Sequence, residues 1–557
     1  MKNKKTEAST KNIQSRTPKY ESNHSDKKKR FIRLSPYLLG FIFIFIFCSF
    51  IYGDVFTRAE QDSFFTFDAT SMKFLTDQSL GYIYWGGRFI LIAFKSMWTG
   101  ALLLSLILTG TAWCLASSMS LPPRLRGLSF LVPFLILGWM VWRGTSIYYK
   151  NEPSLIVLVP LGILLLSATL AGASALLRKK KAKDSSCKIS ALNQGNLCIV
   201  LFSVILYSCT LIFNQNEILT ARMQNSILRE DFNNLVEDGL SARHPSRAVA
   251  AYYTIGLIQT DQLYDRLFQI PFNFPETTRL DKKDGSEEYG IFLADCNFFA
   301  GLLNPSYHMA LEHIVMNGPR LYYLKRLAIC SVMKGEKELS RKYMKIIESI
   351  PFEKSFVNKY SPMIDHPELA KNDPVLSRVY ALEPLENRFE QNYRAPAFLG
   401  YNIGLRSGRE AALIPSIMAC LYSKDLPNSM ERALQLRRNG TPLSPALQQA
   451  IVIFGQKQPG IFQHFPELAP GAGGRFGNGS EFFLRDFFND VQTYYREKYN
   501  DTADWKQRMT TDLKNGIPTD LLDLLKEKWL GNYVFYYYCQ NIRPKKQEDN
   551  SHNSGVN

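Results

Sequence analysis

The feature that most constrains this chain is the apolar run Asn196 to Phe213, NLCIVLFSVILYSCTLIF, which follows the basic segment Arg178-Lys179-Lys180-Lys181-Ala182-Lys183. A helix that crosses a bilayer needs roughly 17 to 25 mostly apolar residues, and positive flanking residues stay on the cytoplasmic side. The run is therefore read as a span that carries the chain outward. No run of that length follows it, so everything after Phe213 is expected to form an extracytoplasmic domain.

Four more spans are read before it, at about 34–55, 97–118, 128–142 and 154–177. Leu34 to Val55 is longer than the apolar region of a cleaved secretory signal and small residues are scarce at its end, so it reads as a retained signal anchor. Between the first two spans lies GYIYWGGRFILIAFKSMW, apolar but carrying Arg88 and Lys95 and opening with Tyr82, Tyr84 and Trp85. That mixture favours a helix at the membrane interface. If Gly81 to Phe94 crossed separately there would be six spans and the large domain would lie inside.

The distribution of charge decides for five. The chain carries a net charge of +16, of which residues 1–34 hold eleven Lys/Arg against three Asp/Glu, Arg124 and Arg126 add two, and residues 178–188 hold six against Asp184. Only +1 remains for the rest of the chain. Five spans place all three basic segments on one side, whereas six would split them. Basicity confined to short segments beside apolar runs is a topology signal and excludes a nucleic-acid footprint, although anionic lipid head groups would be drawn to it. Residues 1–33 are polar without an apolar period and read as a disordered cytoplasmic tail, and residues 543–557 as a second polar tail.

From 214 to 542 the pattern is helices of ordinary globular length with Gly, Asn or Pro breaks and no sustained alternation. The fold class is all-α: an N-terminal bundle of about five transmembrane helices, then a helical hairpin or repeat-like soluble domain. Leu324, Leu327, Ala328, Ser331, Gly335, Ser340, Met344, Ile347 and Pro351 fall near the large and small positions of a tetratricopeptide repeat, whose small residues let two antiparallel helices approach. A generic hairpin shares much of that spacing. The aromatic run Tyr533 to Tyr538 is expected to pack the last helix into the core. Cys296, Cys330, Cys420 and Cys539 are expected as buried free thiols, since no CxxC pair exists.

The order of parts resembles a known family. With about five spans, an EQxxFF segment in the first outward loop (Glu60, Gln61, Phe64, Phe65), a Trp-Gly-Gly turn (Trp85 to Gly87) and a Tyr-rich end to a helical domain, the chain is similar to an uncharacterised family of bacterial polytopic membrane proteins carrying a domain of unknown function. The resemblance implies no activity and carries over no functional residues.

Chemical motifs are few. His308 and His313 are five apart, whereas zinc-binding HExxH needs four; PGAGGRFGNGS (residues 470–480) fits neither GxGxxG nor a Walker loop. No cofactor or metal is expected. The acids of the first outward loop, Asp54, Glu60, Asp62 and Asp68, are the catalytic candidates. Membrane glycosyltransferases that use lipid-linked sugars place acids there as base or cation ligands, but the plainer reading is a solvated loop with Arg58, Arg88 and Lys95 as charge partners. The function expected is a multi-span protein of the bacterial cytoplasmic membrane whose outward domain binds a protein or envelope component. The alternative is a glycosyl- or phosphoglycosyl-transferase-like enzyme, and the arrangement of the four acids separates the two.

Overall fold

The computed structural model describes residues 34–177, 194–272, 290–385, 409–471, 477–499 and 504–540. The tail expected at 1–33, the basic loop near 184, most of the glycine-rich loop and the tail at 543–557 lie outside the described residues. Helices and no strands are found among the described residues, in agreement with an all-α chain.

Among the described residues, five helices are long and apolar enough to cross a membrane: Leu34–Ile51, Met97–Ser118, Arg126–Arg143, Leu155–Leu176 and Gln194–Phe213. The fourth runs through Pro160 unbroken. The first is shorter than expected, because it ends in a π-helical turn at Phe47–Ile51 and a new helix starts at Gly53. Between them Tyr52 is fully buried and its hydroxyl donates to the Met140 carbonyl at 3.1 Å. Gly81–Leu91 is a separate helix of eleven residues, roughly 16 Å at 1.5 Å per residue and too short to cross.

The chain divides into two compact units. The first comprises residues 1–48, 102–139 and 159–208. Its helices touch where side chains are smallest: a Cβ built on Gly127 would fall 1.9 Å from the Gly195 carbonyl oxygen, so only glycine permits that approach. Tyr37 and Phe130, with ring centroids 6.1 Å apart, and Phe134 and Phe202, 5.9 Å apart, fill the seams. Leu165, Leu166, Leu201 and Ile205 stay exposed, the arrangement expected where lipid is the solvent.

The second unit adds two loop regions, residues 49–101 and 140–158, to residues 209–557. The helix Gly53–Asp62 packs against Gln215–Leu228, which packs in turn on Phe232–Ser241 and Arg247–Gln259. Asp231 and Ser246 cap the last two, each accepting from a backbone N–H three residues on. The first-loop motifs meet here: the Phe65 and Trp85 ring centroids lie 5.2 Å apart, and the Trp85 indole donates to the Thr66 carbonyl. A Cβ on Gly87 would fall 2.7 Å from the Leu158 side chain, which accounts for the second glycine of the Trp-Gly-Gly turn.

The helices Leu303–Asn317, Leu321–Met333 and Lys337–Glu348 follow as antiparallel neighbours. Gly335, at φ +72°, turns the chain between the last two. Ala328, Ser331 and Ser340 are buried at their seam, with the Ser340 hydroxyl donating to Ser331 Oγ at 3.0 Å. At the C-terminal end Tyr533, Val534, Phe535 and Tyr536 are buried as expected, and the Tyr533 hydroxyl donates to the Leu421 carbonyl. Cys296, Cys330, Cys420 and Cys539 are free and buried.

Candidate functional site

The four loop acids do not share one environment. Asp68 is the N-cap of Ala69–Thr76, accepting from the Ser71 N–H at 3.0 Å. Asp54 is half-buried and pairs with Arg222 at 3.0 Å. Glu60 and Asp62, by contrast, are buried, and the expectation of a solvated loop fails for both. The reason is that Gly53–Asp62 is a core helix of the second unit, so its polar side chains must find partners inside.

Asp62 enters a buried network. Arg58, one helical turn earlier and 0% exposed, lies 3.5 Å from Asp62 and stacks over the Tyr322 ring at 3.9 Å. Its Nε donates to Gln224 Oε1 at 3.1 Å, which also accepts from the Tyr148 hydroxyl, while Gln224 Nε2 donates to the Tyr252 hydroxyl. Asp295 closes the network, accepting from the Tyr322 hydroxyl at 2.6 Å and from Arg326 at 2.7 Å. Burial, offset by Arg58 and Arg320, raises the Asp62 carboxyl above the usual carboxylate range. His313 stacks between Tyr149 and Tyr323 at 4.6 and 4.1 Å. Burial, with the nearby Arg320 and Arg58, pushes its pKa down to about 3, so the ring is neutral at neutral pH. His308 is exposed, and no group of three metal-ligating side chains occurs among the described residues.

Beside this network the second unit contains a cleft of about 450 Å³. Its buried floor includes Tyr322, Lys325, Arg326 and Glu353, and its exposed rim includes Arg229, Glu230, Phe352 and Ser355. Glu353 is held by two lysines, Lys95 at 3.0 Å and Lys325 at 2.5 Å. Lys325, itself buried, is lowered from the usual lysine range by that burial, with Glu353 acting against it. Glu60 lies behind the floor. Burial pushes it up to about 7, against the pull of Lys95 and Lys325 and with the push of Glu353, while Gln61 Nε2 donates to it at 2.7 Å. None of Asp54, Glu60, Asp62 and Asp68 lines the cleft.

Sequence reasoning missed Lys325, Glu353, Asp295 and Arg326. The partners lie far apart in the chain, 258 positions for Lys95 and Glu353, and no motif spacing joins them. A weak signal existed: Lys325 and Arg326 interrupt an otherwise apolar helix on a face that the hairpin pattern buries, and a buried cation requires a partner.

A family model described as "Family of unknown function (DUF6057)" matches residues 28–177 and 145–540. No curated protein and no solved structure matches the chain.

Proposed function

The chain belongs to the family of unknown function DUF6057, and from its own geometry we propose that it is a membrane-anchored binding protein, presenting its helical second unit on the outer face of a bacterial cytoplasmic membrane to a protein or envelope component. The observation that carries this reading is the cleft, which combines a floor of buried, partnered charge with an aromatic, exposed rim. Concave sites of 300 to 1,000 Å³ with a few convergent polar groups are the usual form of a ligand site. The outward orientation is supported by the basic segments, which five spans put together on the cytoplasmic side. The tetratricopeptide-like spacing around Lys334-Gly335 supports a binding role only as a helical hairpin does.

The group-transfer alternative asks the four loop acids to converge on a cavity, and no observation favours it: Asp54 and Asp62 each face an arginine, Asp68 caps a helix, and Glu60 lies behind the cleft floor. The test of the binding reading is a photo-cross-linking amino acid at Ser355 on the rim, in cells that carry the full chain. Irradiation should give an adduct there and none when the same group replaces the exposed Leu524, which does not line the cleft. Identical adduct patterns at the two positions would refute the reading.

A further inference from the structure

The charges of the cleft floor do not balance internally. Lys95 and Lys325 share the single carboxylate of Glu353. Glu60, the other acid near them, is buried, does not line the cleft and is pushed up by that burial to about 7, so it is a weak counter-charge. A third lysine of the cleft, Lys359, has acids of its own, Glu230 and Asp373. The floor therefore retains an excess positive charge beside aromatic rings, with Lys95 over Phe352 at 5.5 Å and Lys325 over Phe356 at 5.4 Å. Phe352 is 68% exposed. An anionic group joined to an apolar part suits both halves of such a site.

The position of Lys95 narrows the source of that anion. It closes the short helix Ile92–Lys95, and only Ser96 separates it from the span that begins at Met97. Consecutive Cα atoms are 3.8 Å apart, so Lys95 stands within about 8 Å of the end of a membrane span. The loop before it exposes Phe67, Phe74, Tyr82, Ile83 and Phe89, the residue types that settle among lipid head groups. One end of the cleft floor is thus tied to the depth at which lipid phosphates lie.

We propose that the cleft floor holds the phosphate of an anionic phospholipid head group, with Lys95 and Lys325 as its charge partners and the aromatic rim against the start of the acyl chains. The proposal rests on the reading of the cleft as the binding site. In the absence of lipid, Glu353 occupies the two lysines and acts as an internal competitor.

The test is native mass spectrometry of the full-length protein in detergent, titrated with short-chain phosphatidylglycerol, and in parallel with phosphatidylcholine, glycerol phosphate and inorganic phosphate. Phosphatidylglycerol should bind in preference to phosphatidylcholine. Lys95→Gln should weaken it by roughly fivefold, the factor for one cation near a phosphate surface. Glu353→Gln, which removes the competitor, should tighten it by a similar factor. Lys528→Gln, outside the cleft, should leave it unchanged. Opposite responses of the first two variants cannot come from general destabilisation. Equal binding of glycerol phosphate with the same opposite responses supports the phosphate site and assigns its ligand to a soluble ester. If Lys95→Gln has no effect, or if both variants weaken binding alike, the proposal is overturned. A Ser355 cross-link that persists while no phosphorylated probe binds also overturns it, yet leaves the cleft as the binding site; loss of the cross-link removes both readings.

Discussion

Replacing Glu60 by Gln should make the protein more stable at alkaline pH, by an amount that shrinks as pH falls toward 5. Glu60 is buried in the second unit, faces Lys95, Lys325 and Glu353, and accepts from Gln61; its pKa is pushed up to about 7 from an ordinary value of 4.5. A carboxyl whose folded pKa is raised holds its proton more tightly folded than unfolded. Its contribution is fully present below the unfolded value and is lost as pH rises through the folded one. At about 1.4 kcal/mol per tenfold, the gap between 4.5 and about 7 corresponds to about 3 kcal/mol lost by pH 8. Glutamine keeps the shape and cannot ionise, so Glu60→Gln should exceed the wild type by up to about 3 kcal/mol at pH 8, and the difference should close toward pH 5. His313 acts in the opposite direction. Its pKa is pushed down to about 3, so the unfolded state takes up a proton as pH falls below about 6.5 and stability declines toward acid. The quantity to follow is therefore the difference between variant and wild type, not the slope of either. Urea unfolding of the full-length protein in detergent, followed by tryptophan fluorescence from pH 5 to 8, measures it. A difference independent of pH, or a variant less stable at pH 8, would refute the burial of Glu60 among these groups.

Three further outcomes follow from the structure. Asp62→Asn leaves Arg58 buried without its carboxylate and should cost about 3 to 5 kcal/mol in the same unfolding experiment, whereas Asp68→Asn, a substitution by another good N-cap on the surface, should have no measurable effect. Ala328→Phe should overpack the seam joined by Ser331 and Ser340 and cost roughly 1 to 3 kcal/mol; an unchanged midpoint would mean the two helices are not in close contact. An enzyme reporter active only in an oxidising exterior compartment should work when fused after residue 216 and stay silent near residue 184. The reverse pattern would remove the outward orientation on which the proposed function depends.

The spans were legible because the evidence for them is local. Eighteen or more mostly apolar residues are long enough to cross a bilayer wherever the rest of the chain goes, and the basic segments beside them are the ground for the proposed orientation. The turn at Gly335 and the burial of Tyr533 to Tyr536 were legible for the same reason: glycine conformations and apolar clusters act over a few residues. The end of the first span was not, since the break at Tyr52 is held by a hydrogen bond to Met140, far along the chain.

The sequence by itself determined an all-α chain with five helices able to cross a membrane, because backbone satisfaction in lipid and the period of apolar side chains leave a short menu. Only the tertiary structure decided what the first loop is. Asp54, Glu60, Asp62 and Asp68 look alike along the chain, yet one caps a helix, one pairs near the surface, one joins a buried arginine network and one stands behind a lysine-lined cleft. Charge alone does not distinguish those roles, because the properties of a carboxyl depend on its burial and on which cations face it. Here those cations come from residues 58, 95, 222 and 325, brought together only when the loop helix packs into the unit formed with residues 209–557.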